Sequence, residues 1–254
     1  DPPLHEFLPH TTSDISAVAG DLGVQPELLE ERLVQLHESN PMMGHRGCRL
    51  GITSPEIYTT QVKAILQAAV EVQKDGVEVI PEIMIPLVSL GEELARLRKL
   101  VEGTAEKVLE AENARVDYVV GTMIELPRAA LTADELAKSA QFFSFGTNDL
   151  TQMTYGFSRD DMSKFFNAYV AEGILEDSPL AVFDTEGVGQ LVEIGVEKGR
   201  STRSDLKTGV CGEHGGDPVG IGFFHKIGID YVSCSPYRVP VARLAAAHAA
   251  LGKL

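Results

Sequence analysis

The chain has 254 residues, 44% hydrophobic and 23% charged, which is enough for one large packed domain of ordinary globular composition. Its formal charge of −15 argues against nucleic acid, whose phosphates must be neutralised by Lys and Arg. No run approaches the ~18 uninterrupted apolar residues that a membrane helix needs, and Cys48, Cys211 and Cys234 form no C-x-x-C pair, which fits a reduced, cytoplasmic compartment.

The opening DPPLHEFLPHTTSD has no basic start, no apolar stretch and no initiator Met. It reads as no secretory signal, and as chain that was processed or cut from something longer. No repeat, low-complexity tract or flexible linker interrupts the sequence, which predicts a single domain over 1–254. From Pro26, PELLEERLVQLHESN places Leu28, Leu29, Leu33 and Leu36 at helical spacing. A second helix is predicted from about Pro55 to Lys74, stopping before Gly76. VEVIPEIMIPLV then reads as a buried strand running into a loop. Ser89 and Glu92 form the pattern of a capping box for a long helix with Leu94, Leu97, Leu100, Val101, Val108 and Leu109 toward the core.

A regular alternation follows. VDYVVGTMI is strand-like, Thr132 and Glu135 cap a short helix, and QFFSFG is a second short strand. After a polar insertion, Asp184 to Lys198 reads as a helix ended by Gly199. KTGVCG is a strand, PVGIGFFHKIG a helix, YVSCS a strand and VPVARLAAAHAAL a closing helix. Buried strands alternating with helices require a parallel sheet, because parallel neighbours need crossover connections. The expected fold is an α/β, TIM-type (β/α) barrel. Only five or six strands are evident, so the first one or two β/α units are expected to be missing.

Active sites of such barrels lie where strands end and β→α loops begin. Those points hold Glu125 after VVGTMI, Gly146, Thr147, Asn148 and Asp149 after FFSF, Cys211 to Gly216 after KTGV, and Ser235 to Arg238 after YVSC. Either carboxylate alone would serve as well to cap the following helix. Glu125 and Asp149 on neighbouring units are also what Mg²⁺ takes, one or two carboxylates with water and substrate oxygens completing the octahedron. GTNDL offers backbone N–H groups in a Gly-containing turn as a cradle for a carboxylate or phosphate. Cys211 at a strand end is either a small packing residue or a reactive thiol; Cys48 and Cys234 read as packing. His214 and His45 are candidate acid–base groups. Arg46 and Arg49 bracket the Gly-rich turn GHRGCRLG, either to neutralise a substrate anion or to pin a loop.

DPPLHEFLP, NPMMGHRGCRLG, PEIMIPL, GTMIELPRAAL, FFSFGTNDLTQMTYGFSRDD, GVCGEHGGDP and YVSCSPYRVPVARLAAA, in this order, resemble the pyruvate phosphate dikinases, a branch of the PEP-utilising enzymes. The resemblance covers nearly the whole chain. It implies a C-terminal pyruvate/phosphoenolpyruvate domain with Glu125 and Asp149 as Mg²⁺ ligands and Gly146, Thr147, Asn148 and Asp149 against the substrate; Glu125 and, on its anion-neutralising reading, Arg46 are also expected to face the substrate. Cys211 would exchange a proton with the methyl or methylene carbon. It further implies a phosphohistidine domain elsewhere in the parent chain, a homodimer, and arginines on earlier strands, the last just upstream of Asp1. Without these, the chain by itself is expected not to carry out the full reaction. A phosphoenolpyruvate synthase fragment, a non-catalytic dimerisation module and an unrelated metal-dependent lyase are the rival readings.

Overall fold

The computed structural model describes residues 7–38 and 40–253. Helices α1 (Thr12–Leu22) and α2 (Pro26–Leu36) pack together at the N-terminal end. The first of them is unpredicted, yet its ends are explicit. The Thr11 hydroxyl accepts from the Asp14 N–H, the Asp14 carboxylate accepts in return from the Thr11 N–H, and Gly23 at φ 67° closes the helix in a left-handed turn. Next come α3 (Cys48–Thr53) and α4 (Pro55–Lys74), the latter with the predicted boundaries.

The barrel portion is built from β1 (Glu82–Ile85), α5 (Gly91–Ala111), β2 (Val119–Ile124), α6 (Pro127–Leu131), α7 (Ala133–Ala137) and β3 (Phe142–Gly146). It continues with α8 (Thr147–Tyr155), α9 (Ser163–Ala171), α10 (Val188–Thr202), β4 (Lys207–Cys211), α11 (Pro218–Lys226), β5 (Tyr231–Val232) and α12 (Val239–Ala250). Every strand pair is parallel and the spatial order is β1-β2-β3-β4-β5. Doubly wound sheets reverse direction at a switch point, whereas barrels add each strand beside the last. The strand order is therefore that of an incomplete TIM-type barrel, as expected. Among the described residues the sheet has five strands, three fewer than a closed barrel and one beyond the expected shortfall of one or two units. Along the outer edge of β1 runs an open, largely apolar groove of about 600 Å³ lined by Leu50, Ile57, Tyr58, Ile65 and Met84.

One continuous core joins α3, α4, α5, the sheet and α10, with Leu66, Leu87, Leu94, Phe143, Phe145 and Leu150 fully buried. Strand β3 is buried along its whole length, as a central parallel strand must be. Along α5, Leu94, Leu97, Val101 and Val108 face that core as predicted, Leu100 is half-buried against it, and Leu109 joins a small satellite cluster with Val70 and Val116.

Four local expectations are corrected. Glu93, not Glu92, caps α5, accepting from the N–H groups of Ser89 and Leu90 at 2.9 Å, while Glu92 pairs with Arg96. Thr132 makes no side-chain cap; its hydroxyl donates to the Arg128 carbonyl. The helix expected from Asp184 begins at Val188, with the Asp184 carboxylate accepting from the N–H groups of Glu186, Gly187 and Val188. It passes through Gly199, which is needed for packing rather than termination: a Cβ there would lie 2.6 Å from both Leu206 and Phe143 side-chain carbons. Finally, the Gly-rich turn at 44–51 is half helix, since α3 begins at Cys48.

Candidate active site

Parallel register sets the ends of three consecutive strands side by side. Ile124 pairs with Phe145, and Gly146 with Cys211, so Glu125, Gly146 and Cys211 lie in a row at the C-terminal rim. Gly146 is required there: a Cβ would meet the Met123 sulfur at 2.6 Å and Glu125 Cβ at 2.9 Å. The predicted GTNDL turn is instead the start of α8, with Gly146 at the N-cap and no side chain capping it. Its first N–H groups are therefore available at the rim.

Glu125 is buried, with 3% of its surface exposed. Its Oε1 accepts from the Leu87 N–H at 2.6 Å. Leu87, at the end of β1, takes a φ of 58°, a conformation rare outside glycine that costs on the order of 1 kcal/mol. Its two backbone groups are both committed, since its carbonyl also accepts the Cys48 thiol proton at 3.1 Å. Burial raises the Glu125 pKa, and the neighbouring Asp149 carboxylate raises it further; the Leu87 N–H and Arg46 act the other way. Arg46, itself buried, lies 3.6 Å from the Asp149 carboxylate. Arg49 resolves differently: it pins the preceding loop by donating to the carbonyls of Met43 and Gly44 at 2.7 Å.

Two adjoining carboxylates, one of them buried, need compensation beyond a single guanidinium. Hard oxygen ligands in this number fit Mg²⁺, which takes one or two carboxylates and fills its remaining positions with water and substrate oxygens. Among the described residues no cluster of three or more His, Cys, Asp or Glu could hold a metal. Without a cation, the pair is a pH-dependent liability. Between the ordinary Glu value of 4.5 and the raised one of about 7, the folded chain binds a proton that the unfolded chain releases. Stability from this group is thus complete below the ordinary Glu value and lost as pH rises through the raised one. Urea titrations of the metal-free chain and of Glu125→Gln should show the wild type losing ground to the variant across that window. A difference that stays flat with pH would refute the assignment.

Cys211 is half-buried, and its thiol pKa is raised chiefly by that burial, with Glu125 and Asp149 adding to it and a bond from Ser144 opposing it. In register, Ser144 on β3 lies beside Gly209 on β4 and Gly209 beside Tyr231 on β5, and the Ser144 hydroxyl lowers the pKa of both the Cys211 thiol and Tyr231. Gly209 makes this possible, because any Cβ there would strike the Tyr231 ring. Sequence reasoning missed both Ser144 and Tyr231. The available signal was a glycine inside a strand, which marks close approach by another group. Thr147 and Asn148 reach across to β4, the Thr147 hydroxyl lying 3.2 Å from the Cys211 carbonyl and the Asn148 Oδ1 accepting from the Glu213 N–H at 3.1 Å. Of the two histidines, His45 bonds Thr53 on α3, and His214 is wholly buried. Neither is therefore placed to exchange protons with a ligand at the rim. Of the predicted Ser235–Arg238 group, Ser235 and Arg238 line a separate small pocket of about 210 Å³ with Gly212 and Glu213.

A parallel barrel whose strand ends gather a carboxylate pair, a thiol and a helix N-terminus has the layout of a TIM-type enzyme's active-site face. The chain belongs to the PEP-utilising enzymes, matching their PEP-binding domain over residues 1–251. It is 56% identical over 252 residues to pyruvate, phosphate dikinase of Clostridium symbiosum and 56% identical over 249 residues to chloroplastic pyruvate, phosphate dikinase 1 of Arabidopsis thaliana. The Rhizobium meliloti (strain 1021) pyruvate, phosphate dikinase is 55% identical over 252 residues. These alignments take in 97–99% of this chain but 26–29% of the relatives, so the chain spans under a third of their length. Among solved structures, a citrate lyase from Burkholderia xenovorans LB400 aligns with 74% of this chain and 53% of its own, at 14% identity and a TM-score of 0.49. No helix of the described residues is long and apolar enough to cross a membrane.

Proposed function

We propose that residues 1–254 form the C-terminal pyruvate/phosphoenolpyruvate domain of a pyruvate phosphate dikinase, which interconverts ATP, phosphate and pyruvate with AMP, diphosphate and phosphoenolpyruvate. The observation that carries this reading is the row of Glu125, Gly146 and Cys211 on adjacent strand ends, with Asp149 against Glu125. Glu125 and Asp149 are the residues that would hold Mg²⁺, which when bound supplies positive charge to stabilise an enolate oxygen. The N–H groups at the start of α8, with Asn148 and Arg46, hold and neutralise the oxoacid carboxylate. Cys211 gives its proton to the methylene carbon of the enolate, or takes one from the methyl group in the opposite direction. In the direction of phosphoenolpyruvate, the enolate oxygen forms a bond to phosphorus as the nitrogen–phosphorus bond of the parent chain's phosphohistidine breaks.

Oxalate, a planar mimic of the pyruvate enolate, tests the site without turnover. Calorimetric titration of the chain should give binding with Mg²⁺ and none without it. Binding that ignores the metal would contradict the reading. The chain alone is expected to show no dikinase turnover, since the phosphohistidine domain and the upstream arginines belong to the parent. A homodimer is part of the same proposal. On α12, Ala242, Ala245 and Ala249 pack inward while Val241 and Leu244 stand exposed, continuing to Leu251 just beyond it. Light scattering that returns a monomer would remove this element. A reducing setting, the cytoplasm or the interior of a plastid or other organelle, accords with three free cysteines.

A further inference from the structure

His214 sits in the short turn after β4 with none of its surface exposed, and the proposed chemistry makes no use of it. Its ring is gripped on three sides. Nε2 is 2.9 Å from the Pro179 carbonyl, Nδ1 is 2.9 Å from the Thr147 hydroxyl, and Phe183 packs edge-on with centroids 5.5 Å apart. Pro179 and Phe183 belong to the insertion between α9 and α10, and Phe183 is held to the same turn by its N–H donating to Asp217 at 3.0 Å.

Donor and acceptor chemistry fixes the proton positions. A carbonyl oxygen only accepts, so Nε2 must carry hydrogen. A neutral imidazole then has a bare Nδ1, and the Thr147 hydroxyl must donate to it. Burial favours that neutral form, against the opposing pull of Pro179, Asp217 and Glu213 and together with the positive charge of Arg159. Thr147 has one hydroxyl proton and two acceptors within reach, Nδ1 at 2.9 Å and the Cys211 carbonyl at 3.2 Å. The shorter bond to His214 claims it. On the far side, Gly212 approaches so closely that a Cβ would lie 2.9 Å from both Thr147 Oγ1 and Asn148 Oδ1. Thr147 is therefore held between two residues of the Cys211 turn.

We propose that His214 is the positioning residue of this site: in its Nε2–H form it grips the Pro179 carbonyl on one side and the Thr147 hydroxyl on the other, and so holds Gly146–Asp149 in register with Cys211. This deepens the oxoacid reading and rests on it. It also makes the insertion a buttress of the site rather than a decoration of the surface, because the imidazole joins the two through a single ring.

The test separates the two bonds. In His214→Asn the side-chain oxygen stands where Nδ1 stood and can accept from Thr147, while the Pro179 bond is lost. In His214→Gln the amide reaches Pro179 and leaves Thr147 without its acceptor. Mg²⁺-dependent oxalate affinity should stay within about threefold of wild type in the Asn variant and fall about tenfold in the Gln variant. Both should lose comparable thermal stability, so a purely packing role would give the two the same affinity. Equal affinities would overturn the proposal. Nitrogen-15 NMR of the wild-type imidazole should show a protonated Nε2 and a bare Nδ1 whose resonance moves in Thr147→Val. If the wild type binds no oxalate, the oxoacid reading fails by itself. The NMR result then decides the clamp alone: a protonated Nδ1, or one indifferent to Thr147→Val, overturns it.

Discussion

Glu125→Gln is expected to weaken Mg²⁺-dependent oxalate binding by about 100-fold or more, the scale set by removing one charged ligand from a buried site. The substitution keeps volume and can keep the bond from the Leu87 N–H, so β1 and β2 should remain joined. What it removes is one of the two negative charges that make the site attractive to a hard cation. The apo protein should respond in the opposite sense, gaining stability at neutral pH because the repulsion with Asp149 and the cost of burying a second charge both disappear. Calorimetry and urea denaturation on the same pair of proteins read the two effects together. A variant that binds oxalate as the wild type does would place the metal elsewhere. A variant less stable than the wild type at neutral pH would mean that Glu125 is compensated in the apo state by something other than Arg46.

Three strand ends were legible in the sequence because parallel strands are short apolar runs that stop abruptly at polar residues; the fourth stop, expected at Ser235, misses because β5 ends at Val232. VVGTMI-Glu125, FFSF-Gly146 and KTGV-Cys211 fall within a residue of the observed strand ends. What escaped was whatever depends on a partner distant in sequence. The Ser144 hydroxyl looks like filler in an apolar strand until β5 places Tyr231 beside it. Leu87 gives no hint of its positive φ, since that conformation is held from outside by Glu125 and Cys48. His214 is polar and follows a strand end, which makes it look catalytic. Only the packing of the insertion, a segment with no strong periodicity of its own, shows that it is enclosed. Gly199 misled in the same way, as a helix stop signal that serves instead to admit Phe143 and Leu206.

Cys211→Ala is expected to slow exchange of the pyruvate methyl hydrogens with solvent deuterium by about 10²–10⁴-fold, the usual contribution of one positioned acid–base group. Mg²⁺-dependent oxalate binding should change little, because alanine leaves the carboxylate pair and the start of α8 in place. The raised pKa of Cys211 assigns the direction of each step. At neutral pH the group is a thiol, ready to donate to the methylene carbon; abstraction from the methyl group needs the thiolate, so wild-type exchange should accelerate as pH rises toward the thiol's own titration. Ser144 tunes that point, since its bond to the sulfur lowers the pKa. Ser144→Ala should therefore shift the exchange profile to higher pH while leaving its upper limit nearly intact, which a general loss of folding would not do. If Cys211→Ala exchanges at the wild-type rate, the proton is carried by another group, and Tyr231, on the neighbouring strand β5, is the next to replace.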